Sequence, residues 1–295
     1  KLKNKIFKIF VILLCFYFIF NYLLDNNTLI KIIINADYNK ISFVIILSIL
    51  LIFFYSNLIF VCLKKICNIK ISKSRWYLIY FNSQFLNSIP FFGIIYRAVQ
   101  LKKFDLSYDK FIGIYLMIKW LYVSITLFLF SIESLFIFKG VSLFGLPISS
   151  IFFLSAFVVF FSPIILGKFV NFLMKLKNLK SNKFFIKFNK LLELFLNSIF
   201  NQSFIKIFFF FLLTVHILEL LIITQLIESL QANIPFQKTF IIFIGEIIIE
   251  FVSILPQNIF ISEIGLGLLT EKMNFDFELG FLIKIYFRFI LFFSS

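Results

Sequence analysis

The residues of this chain with most chemical meaning are charges that sit inside long apolar runs. They are Arg97, Lys119, Glu246, Glu250, Glu263, Lys284 and Arg288, with His216 and Glu219 behind them. A charge held within a bilayer costs about 2.5–3.5 kcal/mol on insertion scales, so such residues bind, relay or pair. The planar fork of Arg97 suits a phosphate or carboxylate, and Glu263 suits an amine or an ion pair. The bland alternatives are a structural Arg97–Glu263 bridge, or an Arg97 that snorkels to the inner interface. Glu246 and Glu250 share a helix face. In a cavity they could share a proton or receive a cationic group; otherwise they are a solvated outer-leaflet face. Lys119, in mid-span, either faces a cavity or is a buried partner for Glu133 or Glu219. His216 is the only histidine, and reads as a satisfied core residue before a ligand.

Two stretches must position these groups: residues 82–101, NSQFLNSIPFFGIIYRAVQL, and residues 251–268, FVSILPQNIFISEIGLGL. Both are apolar segments interrupted by proline and glycine. With Pro90 set on Pro256, Arg97 falls on Glu263, Gln84 on Glu250 and Asn87 on Ser253. Proline removes a backbone donor and glycine tolerates unusual dihedrals, so Pro90 with Gly93, and Pro256 with Gly265, are the expected hairpin breaks. Interrupted segments in corresponding halves of a chain point to a transporter-type site near the midplane. Arg97, Lys119, Glu263, Glu250, Glu246, Asn87, Gln84 and Arg288 are therefore the candidate substrate-binding residues.

The composition excludes a soluble protein: 61% of the 295 residues are hydrophobic and the mean hydropathy is +1.03. The apolar runs are continuous rather than alternating, which excludes a β-barrel. A net charge of +15 is accounted for by Lys- and Arg-rich cytoplasmic loops, and no nucleic-acid module is visible. Cys15, Cys62 and Cys67 have no metal-ligand spacing. Neither a nucleotide-phosphate loop nor a zinc motif nor a Ser/His/Asp order is present. No enzyme, cofactor or metal site is expected. The chain opens on Lys1 rather than Met, so at least one residue is expected ahead of it.

The fold class expected is an all-α polytopic membrane protein forming one domain over 1–295. Lys1, Lys3, Lys5 and Lys8 place the N-terminus in the cytoplasm, ahead of a span at about 6–24. Residues 25–40 read as an outer loop, followed by a span at 41–63 and a basic inner loop. Residues 76–96 carry basic flanks on both sides, which predicts a re-entrant hairpin entering from the cytoplasm. A straight span is the alternative. Spans follow at 111–138 and 148–170, the latter with Pro163 and Gly167 as places to kink. The basic segment 168–200 reads as a cytoplasmic interfacial helix or an ordinary positive-inside loop. A span at 206–230 and a short outer loop to 239 precede the second hairpin, whose acidic flanks place its entry outside. A last span covers 279–293. The sum is six full spans plus two re-entrant hairpins, arranged as an inverted repeat of about 41–138 and 206–295.

The run N-S-I-P-x-x-G-x-x-x-R-A-x-x-L at 87–101, Ser107, and a span carrying Lys119 resemble the first half-motif of the lysylphosphatidylglycerol synthase transmembrane-region family. The run L-P-x-x-x-x-x-S-E-x-G-L-G at 255–267, with Arg288 in the last span, is similar to its second half-motif. Lys119 stands where that family tends to have Arg, and the glycines after Pro256 are thinned to Gln257–Phe260. The resemblance implies a flippase-like protein of a bacterial inner membrane. Such a protein translocates or presents an anionic phospho- or glycolipid, or a lipid-linked glycan, in cell-envelope biogenesis. Bifunctional members carry a soluble aminoacyl-transfer domain after the membrane part; this chain shows none, so synthesis of the aminoacylated lipid is not expected. The alternatives are a non-transporting subunit that scaffolds or regulates an envelope glycosyltransferase, and a membrane-embedded lipid-linked sugar transferase.

Overall fold

The structure, a computed structural model, describes residues 27–86, 92–143, 145–174, 192–193, 196, 202–252 and 261–293. The described residues form ten helices and one two-residue strand pair. In order they are α1 (Asn27–Ile34), α2 (Tyr38–Cys67), α3 (Lys73–Phe85), α4 (Phe92–Lys102), α5 (Tyr108–Ile137), β1 (Ser142–Leu143), β2 (Leu146–Pro147), α6 (Ile148–Met174), α7 (Gln202–Ser229), α8 (Phe236–Val252), α9 (Ile261–Lys272) and α10 (Phe277–Phe293). Four helices are long and apolar enough to cross a bilayer: α2, α5, α6 and α7. They match the spans expected at 41–63, 111–138, 148–170 and 206–230. At 17 residues, α10 is about 25 Å long, short of the ~30 Å hydrocarbon core. The span expected at 6–24 lies outside the described residues.

Local chemistry sets the helix ends. Ser72 and Ser107 cap α3 and α5, their hydroxyls accepting from the Arg75 and Lys110 amides. The carboxylate of Asp37 accepts from the amides of Asn39 and Lys40 and caps α2. Such caps satisfy donors that the first helical turn leaves orphaned. At the other ends, Asp105, Gln231 and Asn274 adopt positive φ. The next residues, Leu106, Ala232 and Phe275, donate five residues back, to the carbonyls of Leu101, Ile227 and Thr270. These are Schellman endings, and Asn and Asp tolerate the left-handed position better than most side chains.

Two expected features are corrected. Residues 25–40 are not a continuous loop, because α1 occupies Asn27–Ile34 and α2 starts at Tyr38. Leu29, Ile30 and the run Ile32–Ile34 supply enough apolar surface for a short helix, which a reading by charge balance missed. The basic segment does not begin in a loop either: Lys168 lies within α6, which continues to Met174. Most of the remainder, including Lys175–Lys190, is outside the described residues.

The chain divides into two compact units, residues 1–45 with 222–289 and residues 46–221 with 290–295. In the second unit α3 packs against α4, α4 against α5, and α5 extensively against α6. Its core gathers Leu58, Leu63, Trp76, Leu101, Phe111, Leu121, Phe204 and Phe208. Trp76 is fully buried, and its indole donates to the Ser56 carbonyl at 2.9 Å. One residue on, the Tyr77 hydroxyl donates to Asn57 at 2.7 Å. These two bonds tie α3 to α2. Helix α6 runs unbroken through Pro163. The missing N–H there leaves the Val159 carbonyl without its helical donor. The Trp120 indole of α5 donates to that oxygen at 2.7 Å, joined by the Ser162 hydroxyl at 2.6 Å. A proline that would weaken the span instead fixes its contact with α5.

In the first unit α8 packs against α9. A Cβ at Gly245 would collide with Leu269, and one at Gly280 with the Leu266 carbonyl oxygen. Glycine at 280 lets α10 approach α9 almost to backbone contact, and glycine at 245 makes room on α8 for the Leu269 side chain of α9, as small residues do between membrane helices.

Candidate functional site

Arg97 is placed by α4 in the core of the second unit and is 4% exposed. Its Nε donates weakly to the Gly93 carbonyl of its own helix at 3.4 Å. Its guanidinium carbon lies 5.3 Å from the ring centre of Tyr80 on α3 and 6.0 Å from that of Tyr115 on α5. Both distances suit cation–π attraction. No carboxylate among the described residues lies within ion-pair distance of it. A buried guanidinium holds five donors in one plane, and among the described residues only its Nε has a hydrogen-bond acceptor. Tyr80 is itself buried, and Gln84, one turn further along α3, interacts with its hydroxyl.

The first unit brings four of the candidate charges together in two pairs. Lys284 of α10 is 1% exposed and bonds the carboxylate of Glu246 on α8. One turn on, Arg288 donates through Nε to Glu263 at 2.9 Å and through a terminal nitrogen to Ser262 at 2.7 Å. The Ser262 hydroxyl donates in turn to the other carboxylate oxygen at 3.2 Å. Two cations on one face of α10 thus meet two acids from different helices. Glu263 also sits in the first turn of α9, where the helix dipole favours a negative charge.

A third polar group lies within the second unit. His216 is buried and bonds Glu133 of α5 at 3.0 and 3.2 Å. Glu219 accepts from the hydroxyls of Tyr55 on α2 at 3.1 Å and Tyr122 on α5 at 2.7 Å. Glu133 and Glu219 thus have these partners, while Lys119 is exposed on α5.

Arg97 and Glu263 belong to different units, and each has its contacts described within its own. Asn87, Pro90 and Pro256 lie outside the described residues, as does the side chain of Glu250. Gly93 is the second residue of α4 and Gly265 the fifth of α9, and the stretches immediately before both helices lie outside the described residues. Ser262, Tyr80, Tyr115, Tyr55 and Tyr122 complete these clusters and were not legible as site residues. The available signal was tyrosine inside an apolar run, where a polar tip needs a partner.

Neither a curated protein nor a solved structure matches the chain. The family model described as the lysylphosphatidylglycerol synthase TM region matches residues 5–295. With an all-helical structure, four helices fit to cross a bilayer and charges held between them, the chain belongs to the lysylphosphatidylglycerol synthase transmembrane-region family.

Proposed function

We propose that this protein translocates, or presents, a lipid with an anionic head group between the leaflets of a bacterial inner membrane, with its N-terminus in the cytoplasm. The observation that carries the reading is Arg97, a buried guanidinium with no carboxylate beside it among the described residues. Within a membrane protein such a group is costly unless an anion completes it. The packed pairs α3–α4 and α8–α9 support the two re-entrant hairpins of an inverted repeat with six full spans. In that arrangement one repeat rocks against the other around a fixed site.

Leaflet-resolved movement of labelled anionic lipids and undecaprenyl-linked sugars in proteoliposomes tests this. One lipid class should cross faster with the parent protein, and Arg97→Ala should abolish the gain while leaving the fold intact. If nothing crosses faster, translocation by this protein alone is wrong. The internal pairing of Glu246, Lys284, Glu263 and Arg288 favours, as second reading, a non-transporting subunit that holds an envelope glycosyltransferase. Recovery of a glycosyltransferase with the purified protein, without lipid movement, is the outcome that reading requires.

A further inference from the structure

We infer that the group read at Arg97 is a phosphate taken by the guanidinium fork, and that Tyr80 and Tyr115 are positioning residues whose rings hold the guanidinium in place. The inference rests on the lipid reading above and names what part of the lipid is recognised. Cation–π contact sets the cation over the face of a ring and supplies no acceptor oxygen, so it does not replace hydrogen bonds to an anion. With ring centres of Tyr80 and Tyr115 at 5.3 and 6.0 Å and, among the described residues, one 3.4 Å bond from Nε to Gly93, the terminal donors are the part left for a ligand. A planar fork takes a phosphate through two parallel N–H bonds. Phosphate is also the anionic group that phospholipids share whatever their head group.

A consequence follows for specificity. The contacts described around Arg97 are two tyrosine rings and one backbone carbonyl, which set a charged fork rather than a pocket shaped for one head group. The site therefore reads the phosphate and is nearly blind to what the phosphate carries. Lysine at position 97 would keep the charge and lose the fork, and leucine at position 80 would keep bulk and lose the π face.

The test uses the full chain in nanodiscs of a neutral, phosphate-free galactolipid, doped with phosphatidylglycerol or phosphatidylethanolamine. Lipid retained by the protein is counted by native mass spectrometry. Both phospholipids should be enriched over the galactolipid, within about threefold of one another. Arg97→Lys and Tyr80→Leu should each lower retention about tenfold or more, the scale of losing charge-assisted bonds. Tyr80→Phe, which keeps the π face, should retain lipid like the parent. Glycerol 3-phosphate in solution should compete with lipid for the same site.

Equal retention of galactolipid and phospholipid overturns the phosphate assignment, as does an Arg97→Lys protein that retains lipid like the parent. Loss of lipid in Tyr80→Phe as well as Tyr80→Leu, with melting temperature unchanged, overturns the positioning role of the ring. Binding of glycerol 3-phosphate with no lipid retained keeps the fork and refutes the lipid reading beneath it. Lipid retention without movement in proteoliposomes sustains this inference while refuting translocation.

Discussion

Replacing Lys284 by Met tests whether the charge cluster of the first unit is dry. Lys284 is 1% and Glu246 6% exposed, and their ion pair joins α10 to α8. Met matches lysine closely in length, so the substitution removes the ammonium while keeping most of the packing. The Glu246 carboxylate is then left in a low-dielectric interior without its counter-charge. Breaking one partner of a buried pair costs about 3–5 kcal/mol, and losing the contact of Nζ with the Phe287 ring at 5.3 Å adds about 0.5–1 kcal/mol. Removing both charges is a different experiment, because no orphan remains. The double variant Lys284→Met with Glu246→Leu should be as stable as the parent or more so, within the about 1–4 kcal/mol gain seen when buried pairs become apolar.

The assay is a double-mutant cycle on unfolding free energy in nanodiscs, with a second cycle on Lys40 and Glu228 as internal standard. That pair, at 2.9 Å, also belongs to the first unit, but its side chains are 39% and 45% exposed. Its coupling should be only about 0.2–1 kcal/mol, since water and salt screen it. A Lys284→Met cost under about 1 kcal/mol, or a coupling at 246/284 no larger than at 40/228, would mean that water reaches the pair. The burial argument would then fail.

Two further outcomes follow from single contacts. Trp120→Phe should cost about 1–3 kcal/mol by removing the donor to the Val159 carbonyl, and less in a Pro163→Ala background, where the restored N–H supplies that carbonyl. Equal costs in both backgrounds in thermal unfolding would show that the indole does not compensate the proline. Arg97→Leu should raise the apparent melting temperature in lipid-free detergent while abolishing lipid retention, because it removes a buried charge that no carboxylate among the described residues neutralises. A fall in melting temperature would mark Arg97 as a structural residue.

The four long spans were legible because a run of some twenty apolar residues has few other uses, and their ends moved by only a few residues once capping by Ser107 and Asp37 is included. Helix α1 was not legible. Eight residues with one lysine and one asparagine look like a balanced loop when only charge is counted. The identities of the site residues were also readable, since Arg97, Glu246, Glu263, Lys284 and Arg288 are conspicuous inside apolar sequence. Their partners were not. Offset matching set Arg97 against Glu263, yet the carboxylate of Glu263 is taken by Arg288, 25 positions away along the chain, and Glu246 is taken by Lys284. Which faces meet depends on how closely α8, α9 and α10 approach, and glycines 245 and 280 decide that through packing rather than spacing. Gly265 illustrates the same limit: a Cβ there would crowd Ile249 of α8, a close approach that spacing along the chain does not show.

The two kinds of buried charge in this chain carry different physical signatures, and that difference separates structure from function. In the cluster of Lys284–Glu246 with Arg288–Glu263, each cation meets a resident acid. Displacing one member by a ligand would leave another charge exposed to the low dielectric, so the cluster resists exchange. Arg97 carries its charge against two tyrosine rings and one weak bond to its own helix. Cation–π contact offsets only part of the cost of burying a guanidinium, so the folded protein holds an unmet demand for an anion at that point. A site meant to bind and release a head group needs such a demand to be partial. Full neutralisation by a resident carboxylate would exclude the ligand, and a bare guanidinium without the rings would be too costly to bury. The aromatic pair sets the balance between these limits, and on that ground Arg97, rather than the more densely charged cluster on α10, is where the proposed function is placed.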